Sequence, residues 1–248
     1  MQDVITAQSL AIRRDQSVSE DYTSLNVDQR RVVDKVVGAI FDTEIPIRMI
    51  VSGEGGTGKS TVIDVLQSMI SIRRSNYVLV IVCALTGLAA HNVGGSTLHR
   101  VLCLPVEHGK PADYRKLSHE QLKTIRNTLQ SLKLISVDEV SMVSSLTLLF
   151  AHLRLTEIMS CDDYFGGISV LFFADFLQLP PVKDNQHFIP VTHLEAKQRL
   201  GSVGSIDLWH GFQYYELTIN MRQNEIMNMP HFCQIYELAE YLNTTTNF

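Results

Sequence analysis

The chain has 248 residues, of which 45% are hydrophobic, and a formal net charge of −5 at pH 7, as expected for a globular protein with one elaborate domain or two small ones. No apolar run approaches the ~20 residues that span a bilayer, and Asp3 precedes any apolar block, so we expect no membrane contact, no secretory signal and an intracellular location. The negative charge excludes a generally basic surface, so that any nucleic acid would have to bind in a local groove.

The N-terminal region divides into an arm and a helix. Residues 1–25 mix Asp, Ser, Gln and Arg with little apolar periodicity, which predicts an arm or linker with at most a weak helical turn near Val4 to Ile12. A helix begins at Asn26, because Asn26 and Gln29 have the spacing of an N-cap residue and its capping-box partner. Gln29 therefore has a structural role available to it. The predicted apolar stripe of this helix consists of Val27, Val32, Val33, Val36, Val37, Ile40 and Phe41.

The sequence GEGGTGKS at residues 53–60 matches the phosphate-binding loop pattern G-x-x-x-x-G-K-[ST]. A buried strand at 46–52 precedes it and apolar residues at helical spacing follow, so the loop ends at a helix N-terminus, where an anion is favoured. Lys59 would reach the β- and γ-phosphates of a nucleotide, and the Ser60 hydroxyl would bind Mg²⁺. The flanks argue against an accidental glycine-rich turn. The candidate nucleotide-binding residues of the loop are Gly53, Gly55, Gly56, Thr57, Gly58, Lys59, Ser60 and Thr61.

The apolar residues 77–83 predict a buried strand that opens into small and hydroxyl-bearing residues. Open α/β sheets place their ligands at this end of a strand. Thr86, Asn92 and His99 follow it, although they could equally be ordinary turn and cap residues. Further along, Ser118 and Gln121 predict a capped helix that runs to about residue 130.

Two carboxylates, Asp138 and Glu139, follow a predicted strand at residues 132–137. In a phosphate-loop protein the first would hold Mg²⁺ together with the Ser60 hydroxyl and water, and the second would orient and activate the attacking water. Paired acids can also be a solvated strand end. Their position two strands after the loop favours the catalytic interpretation.

Two further predicted strands lead to polar residues that could reach the same site. The strand at 168–174 runs into Asp175 and Gln178, which could contact the γ-phosphate or cap the turn before the double proline that follows. The last strand, at 212–218, leads to Arg222, which could stabilise charge in a transition state or form a salt bridge. Strands that alternate with helices predict an α/β fold.

These motifs, in this order, resemble the N-terminal motor domain of the Pif-one DNA helicases, a group of superfamily one that includes relatives in Helitron-type transposons. The resemblance covers about residues 25 to 223. The combination of DEVSMV and DFLQLPPV separates this group from generic ATPases and disfavours an unrelated phosphate-loop kinase or switch. The resemblance is carried by GEGGTGKS at 53–60, ALTGLAAHNVGGSTLH at 84–99, VDEVSMV at 137–143, ADFLQLPPV at 174–182, and LWHGF with LTINMRQ at 208–223.

The resemblance implies a RecA-like P-loop NTPase fold, a parallel sheet flanked by helices, that hydrolyses ATP with Mg²⁺. It also implies movement from 5′ to 3′ on single-stranded DNA. It assigns adenine recognition to Gln29, sensing of the γ-phosphate to Gln178, and the role of an arginine finger to Arg222.

DNA contacts are implied by the same resemblance. Thr86, Asn92 and His99 fall in segments that the family uses to hold the DNA strand. A groove built this way would stack bases or bind phosphates without reading sequence. The family further implies genome maintenance, including DNA repair, recombination and telomere maintenance, in the nucleus or in mitochondria.

We therefore expect an arm or linker at residues 1–25, a RecA-like ATP-binding domain at 26–223, and a tail at 224–248 that begins a second motor domain. Leu85 stands where the family usually has proline and Ala174 where it usually has glycine; neither departure affects the chemistry. The family's later motifs are not recognisable, so the rest of a second motor domain is expected to be missing. The main hypothesis is an ATP-driven 5′ to 3′ helicase or its ATP-binding part. The alternative is a truncated, transposon-derived module that binds ATP or single-stranded DNA without unwinding.

Overall fold

The computed structural model describes residues 15–72, 78–105, 113–175, 189, 191–192, 198–199 and 208–221. Within them lies one six-stranded sheet in the order β3-β2-β4-β5-β1-β6, and all neighbouring strands are parallel. This arrangement confirms the predicted α/β fold with a parallel sheet. The strands are β1 (Arg48–Ser52), β2 (Val80–Ala84), β3 (Ser96–Thr97), β4 (Leu134–Asp138), β5 (Ser169–Ala174) and β6 (Gln213–Glu216).

Helices connect the strands, and none among the described residues is long and apolar enough to cross a membrane. The α-helices are α1 (Asp15–Ser24), α2 (Val27–Gly38), α3 (Lys59–Ile72), α4 (Gly87–Asn92), α5 (Leu98–Val101), α6 (His119–Leu129) and α7 (Ser145–Met159). A π-helical turn, Ala39–Thr43, extends α2, and short 3₁₀ turns lie at Val140–Met142, Tyr164–Gly167 and Trp209–Gly211.

Side chains of the strands alternate between two apolar layers, one on each face of the sheet. In β1, Met49 and Val51 belong to the layer formed with α2 and α3, whereas Ile50 belongs to the layer formed with α6 and α7. Strands β2, β4 and β5 are buried along their whole length, as expected for parallel strands covered on both faces. The carboxyl ends of the six strands therefore meet at one edge of the sheet, where ligands of such folds bind.

The structure corrects two predictions for the N-terminal region. Helix α1 lies inside the predicted arm, and Tyr22 and the buried Leu25 pack against the core around α2 and α3. This helix escaped prediction because its sequence, DQSVSEDYTS, has too few apolar residues to produce a helical period. Val27, at the first position of α2, is 70% exposed and does not belong to the apolar stripe. The predicted turn near residues 4–12 lies outside the described residues.

Both predicted capping boxes are confirmed. The Asn26 side chain accepts a hydrogen bond from the Gln29 N–H at 3.0 Å, and Gln29 Oε1 accepts one from the Asn26 N–H at 3.0 Å. Ser118 and Gln121 form the same reciprocal pair at the start of α6. Each box satisfies N–H groups that the helix itself leaves unpaired.

A buried ion pair fastens the chain that precedes α6 to helix α7. Arg154 is 1% exposed, donates to the Glu157 carboxylate at 2.6 Å and lies 4.9 Å from the ring centroid of Tyr114. The same guanidinium donates to the backbone carbonyls of Cys103 and Arg115 at 3.3 and 2.8 Å. Glu157 also accepts a hydrogen bond from the Tyr114 hydroxyl at 2.9 Å. The chain around Cys103 and Arg115 is thereby held against α7.

Candidate nucleotide-binding site

A pocket of about 440 Å³ lies at the carboxyl edge of the sheet, between the phosphate loop and the ends of β4 and β5. It brings together three segments that were predicted to form one site: the glycine-rich loop, the paired acids, and the residue that follows β5. The acids therefore lie on the same side of the sheet as the loop. The lining residues are Gly55, Gly56, Gly58, Lys59, Ser60, Thr61, Ala89, Asn92, Asp138, Glu139, Asp175 and Met221.

Glycines are required at several points of the loop. Gly56 and Gly58 adopt left-handed backbone angles, with φ of 92° and 81°. A Cβ at Gly58 would lie 2.2 Å from Gln29 Nε2, and one at Gly53 would lie 2.4 Å from Thr57 Oγ1. Helix α3 begins directly after this turn, at Lys59. Its first N–H groups and the positive end of its dipole therefore face the pocket, as an anion site requires.

The Lys59 ammonium lies across the loop. Nζ donates hydrogen bonds to the carbonyl oxygens of Gly53 at 2.5 Å and Glu54 at 3.1 Å. It also forms an ion pair with the Asp175 carboxylate, at 3.9 Å. The ammonium is thus held at the loop by oxygen atoms, and phosphate oxygens could replace these acceptors without moving the backbone.

Asp138 and Glu139 reach the same pocket because the chain turns sharply at the end of β4. Successive residues of a strand point to opposite faces, but Glu139 has a left-handed backbone with φ of 52°, so its side chain also lines the pocket. Asp138 is 9% exposed. Burial, and then the neighbouring charge of Glu139, raise the pKa of Asp138, while the Glu139 N–H and the Lys59 ammonium lower it. A cation close to Asp138 would favour its ionised form.

The oxygen ligands of the pocket fit Mg²⁺. Ser60 offers a hydroxyl and Asp138 a carboxylate, and both line the pocket. No group of three or more His, Cys, Asp or Glu side chains that could form a metal cage occurs among the described residues. Mg²⁺ typically keeps several waters and takes one or two protein ligands together with substrate phosphates, rather than filling a closed protein cage.

The three predicted DNA-contacting residues occupy different positions in the structure. Thr86 is the N-cap of α4 and accepts a hydrogen bond from the Ala89 N–H at 3.2 Å, so the cap role that sequence alone left open is present. Asn92, exposed at the end of α4, lines the pocket. His99 is half-buried in α5, and neither it nor Thr86 lines the pocket. DNA contact by these side chains stays a prediction.

Gln29 does not line the pocket. It is 2% exposed, and its Nε2 donates to the Thr57 carbonyl at 3.0 Å. Adenine recognition by this residue therefore stays a prediction. Gln178 and Arg222 lie outside the described residues. Sequence reasoning missed Met221, which lines the pocket although its apolar side chain carries no chemical signal.

The comparisons with known proteins agree with these motifs. A family model described as PIF1-like helicase matches residues 24–247. The ATP-dependent DNA helicase RRM3 of Saccharomyces cerevisiae is 29% identical over 215 residues, which cover 79% of this chain and 28% of that protein. The ATP-dependent DNA helicase Pif1 of Campylobacter jejuni is 34% identical over 142 residues, which cover 54% of this chain and 29% of that protein.

A solved structure of Bacteroides sp Pif1 in complex with ADP-AlF4 matches with a TM-score of 0.55 and 29% identity, over 82% of this chain and 44% of that one. A Bacteroides Pif1 helicase in complex with ADP-AlF3 and ssDNA matches with a TM-score of 0.54 and 28% identity, over 84% of this chain and 45% of that one. The resemblance deduced from the motifs is thereby confirmed. The chain spans less than a third of the length of these two curated relatives.

Proposed function

Because the chain belongs to the PIF1-like helicase family, we propose that it is the ATP-hydrolysing motor part of an ATP-dependent DNA helicase. One observation carries the proposal: Lys59 is distant in sequence from the adjacent acids Asp138 and Glu139, yet all three line one pocket beside the glycine-rich loop. Phosphoryl transfer needs little beyond positioning and electrostatic stabilisation, and this arrangement supplies both.

The nucleotide phosphates bind the loop and the N-terminus of α3. Lys59 exchanges its contacts with the loop carbonyls for oxygens of the β- and γ-phosphates. Ser60 and Asp138 would hold Mg²⁺, which would neutralise charge on the phosphates. The observed pairing of Lys59 with Asp175 keeps the ammonium over the pocket before nucleotide enters.

Glu139 orients the attacking water and accepts its proton. The water oxygen forms a bond to the γ-phosphorus, the bond from that phosphorus to the bridging oxygen of the β-phosphate breaks, and ADP and phosphate are the products. Gln178 senses the γ-phosphate and Arg222 stabilises the charge of the transition state. These last two roles are supported by the family resemblance alone.

Single-stranded DNA is the second proposed ligand. It runs over the carboxyl edge of the sheet, past Thr86, Asn92 and His99, and the protein moves along it from 5′ to 3′ when a second motor domain closes and opens over the nucleotide. The solved relative in complex with ADP-AlF3 and ssDNA supports single-stranded DNA as a ligand. Genome maintenance in the nucleus or in mitochondria, including repair and telomere maintenance, is the biological role we propose.

The test is ATP hydrolysis by the purified chain, with and without single-stranded DNA. We expect turnover that DNA stimulates; nucleotide or DNA binding without turnover would instead identify a binding module.

Glu139→Gln should bind ATP and hydrolyse it about 100-fold or more slowly, because the water loses its base. Lys59→Ala should lose ATP binding. Glu120→Gln, an exposed acid on α6, is the matched control. Hydrolysis by Glu139→Gln at the wild-type rate would contradict the assigned base.

A further inference from the structure

Each backbone carbonyl of the phosphate loop from Gly53 to Gly58 accepts a hydrogen bond. The outer carbonyls have donors close by in the sequence. Lys59 Nζ donates to the carbonyls of Gly53 and Glu54, and the Val62 N–H donates to the Gly58 carbonyl at 3.1 Å. The carbonyls of the middle three peptides are bound by groups from outside the loop.

Those three outside donors come from two distant segments. Asn220 Nδ2 donates to the Gly55 carbonyl at 3.3 Å, and the Met221 N–H donates to the Gly56 carbonyl at 2.9 Å. Gln29 Nε2 donates to the Thr57 carbonyl at 3.0 Å. In a planar trans peptide the C=O and the N–H point in opposite directions. Holding the carbonyls outward therefore turns the N–H groups of Gly56 and Gly58 toward the pocket that both residues line.

We propose that Gln29, Asn220 and Met221 form an external frame that holds the phosphate loop in its anion-binding shape. They are positioning residues, and they determine affinity for the phosphates whatever base the nucleotide carries. Both ends of the Gln29 amide are engaged, by the Asn26 N–H and by the Thr57 carbonyl. The inference rests on the proposed nucleotide-binding function.

The segment that carries Asn220 and Met221 is itself fixed by hydrogen bonds of the two residues Leu217 and Thr218 just before it. The Asp28 carboxylate accepts hydrogen bonds from the N–H and the hydroxyl of Thr218, at 3.0 and 2.8 Å. Leu217 is 2% exposed, and its N–H donates to the Ser52 carbonyl at 2.8 Å, which continues the pairing of β6 with β1. The frame therefore joins the start of α2, the end of β6 and the loop into one unit.

The test compares Gln29→Met with Gln121→Met. Each substitution removes a capping-box glutamine at the same helical position, but Gln121 lies at the start of α6 and does not contact the loop. Calorimetric titration of the full 248-residue chain with ATP and with GTP, in the presence of Mg²⁺, reports affinity and stoichiometry separately. A change in affinity at unchanged stoichiometry distinguishes a displaced loop from a smaller folded fraction.

We expect Gln29→Met to weaken the affinities for ATP and for GTP by the same factor, about five- to tenfold. Gln121→Met should change neither affinity. Asn220→Ala, at a half-buried position, should weaken the affinity for ATP and for GTP about two- to fivefold relative to the exposed control Asn127→Ala. If Gln29→Met lost affinity for ATP but not for GTP, Gln29 would recognise the base and the frame would be overturned. Wild-type affinities in both Gln29→Met and Asn220→Ala would also overturn the frame. Either result would leave wild-type ATP binding, and with it the proposed function, intact.

Discussion

Removing the acid of the buried ion pair, by Glu157→Ala, should destabilise the fold strongly. The Arg154 guanidinium is 1% exposed and would lose the carboxylate of Glu157, while the Tyr114 hydroxyl and the Leu117 N–H would lose their acceptor. An uncompensated buried charge typically costs about 3–5 kcal/mol. In a chain of this size that corresponds to a fall in Tm of about 6–20 °C.

Urea unfolding at 25 °C measures the free energy, and thermal unfolding provides a second estimate. Adding Arg154→Met to Glu157→Ala should restore part of the lost stability, because it removes the orphaned charge and refills the space with an apolar side chain. Glu120→Ala, an exposed acid on α6, is the control and should stay within about 0.5 kcal/mol of wild type. The reasoning is refuted if Glu157→Ala loses less than about 1 kcal/mol, or if the double variant is less stable than the single one.

Two further predictions concern stability. His152 is buried, its Nδ1 accepts the Phe165 N–H at 3.0 Å, and burial lowers its pKa, so the folded state keeps it neutral while the unfolded state takes up a proton below pH ~6.5. The free energy of unfolding should therefore fall as the pH drops from about 6.5 toward the lowered pKa, by up to ~1.4 kcal/mol per pH unit. Urea titrations should find that the difference in free energy of unfolding between wild type and His152→Gln shrinks over that range. A difference that is constant with pH would contradict the reasoning. Gly95→Ala should lose about 2 kcal/mol or more, because the added Cβ would lie 2.3 Å from the backbone oxygen of Val82. Gly87→Ala, in the first turn of α4 with no atom within 4 Å of the new Cβ, is its control and should be neutral or slightly stabilising; equal losses in the two variants would refute the steric argument.

Local patterns were sufficient wherever neighbouring residues decide the structure. The glycine-rich loop between a strand and a helix, the two capping boxes and the apolar strands all depend on residues within a few positions of one another. The paired acids at the end of β4 were predicted for the same reason. Local patterns did not predict helix α1, because it depends on packing against the core around α2 and α3 rather than on its own apolar period.

What the sequence by itself determined is therefore the chemistry of the site: a phosphate loop, an ammonium, a hydroxyl and two carboxylates. Only the tertiary structure decided how they meet, by inserting β5 between β1 and β4 and by turning the backbone at Glu139. It also brought Asn220 to the carbonyl of Gly55, 165 residues away. Such contacts follow from the order in which strands pair, and no local period of a sequence encodes that order because it depends on the packing of the whole sheet.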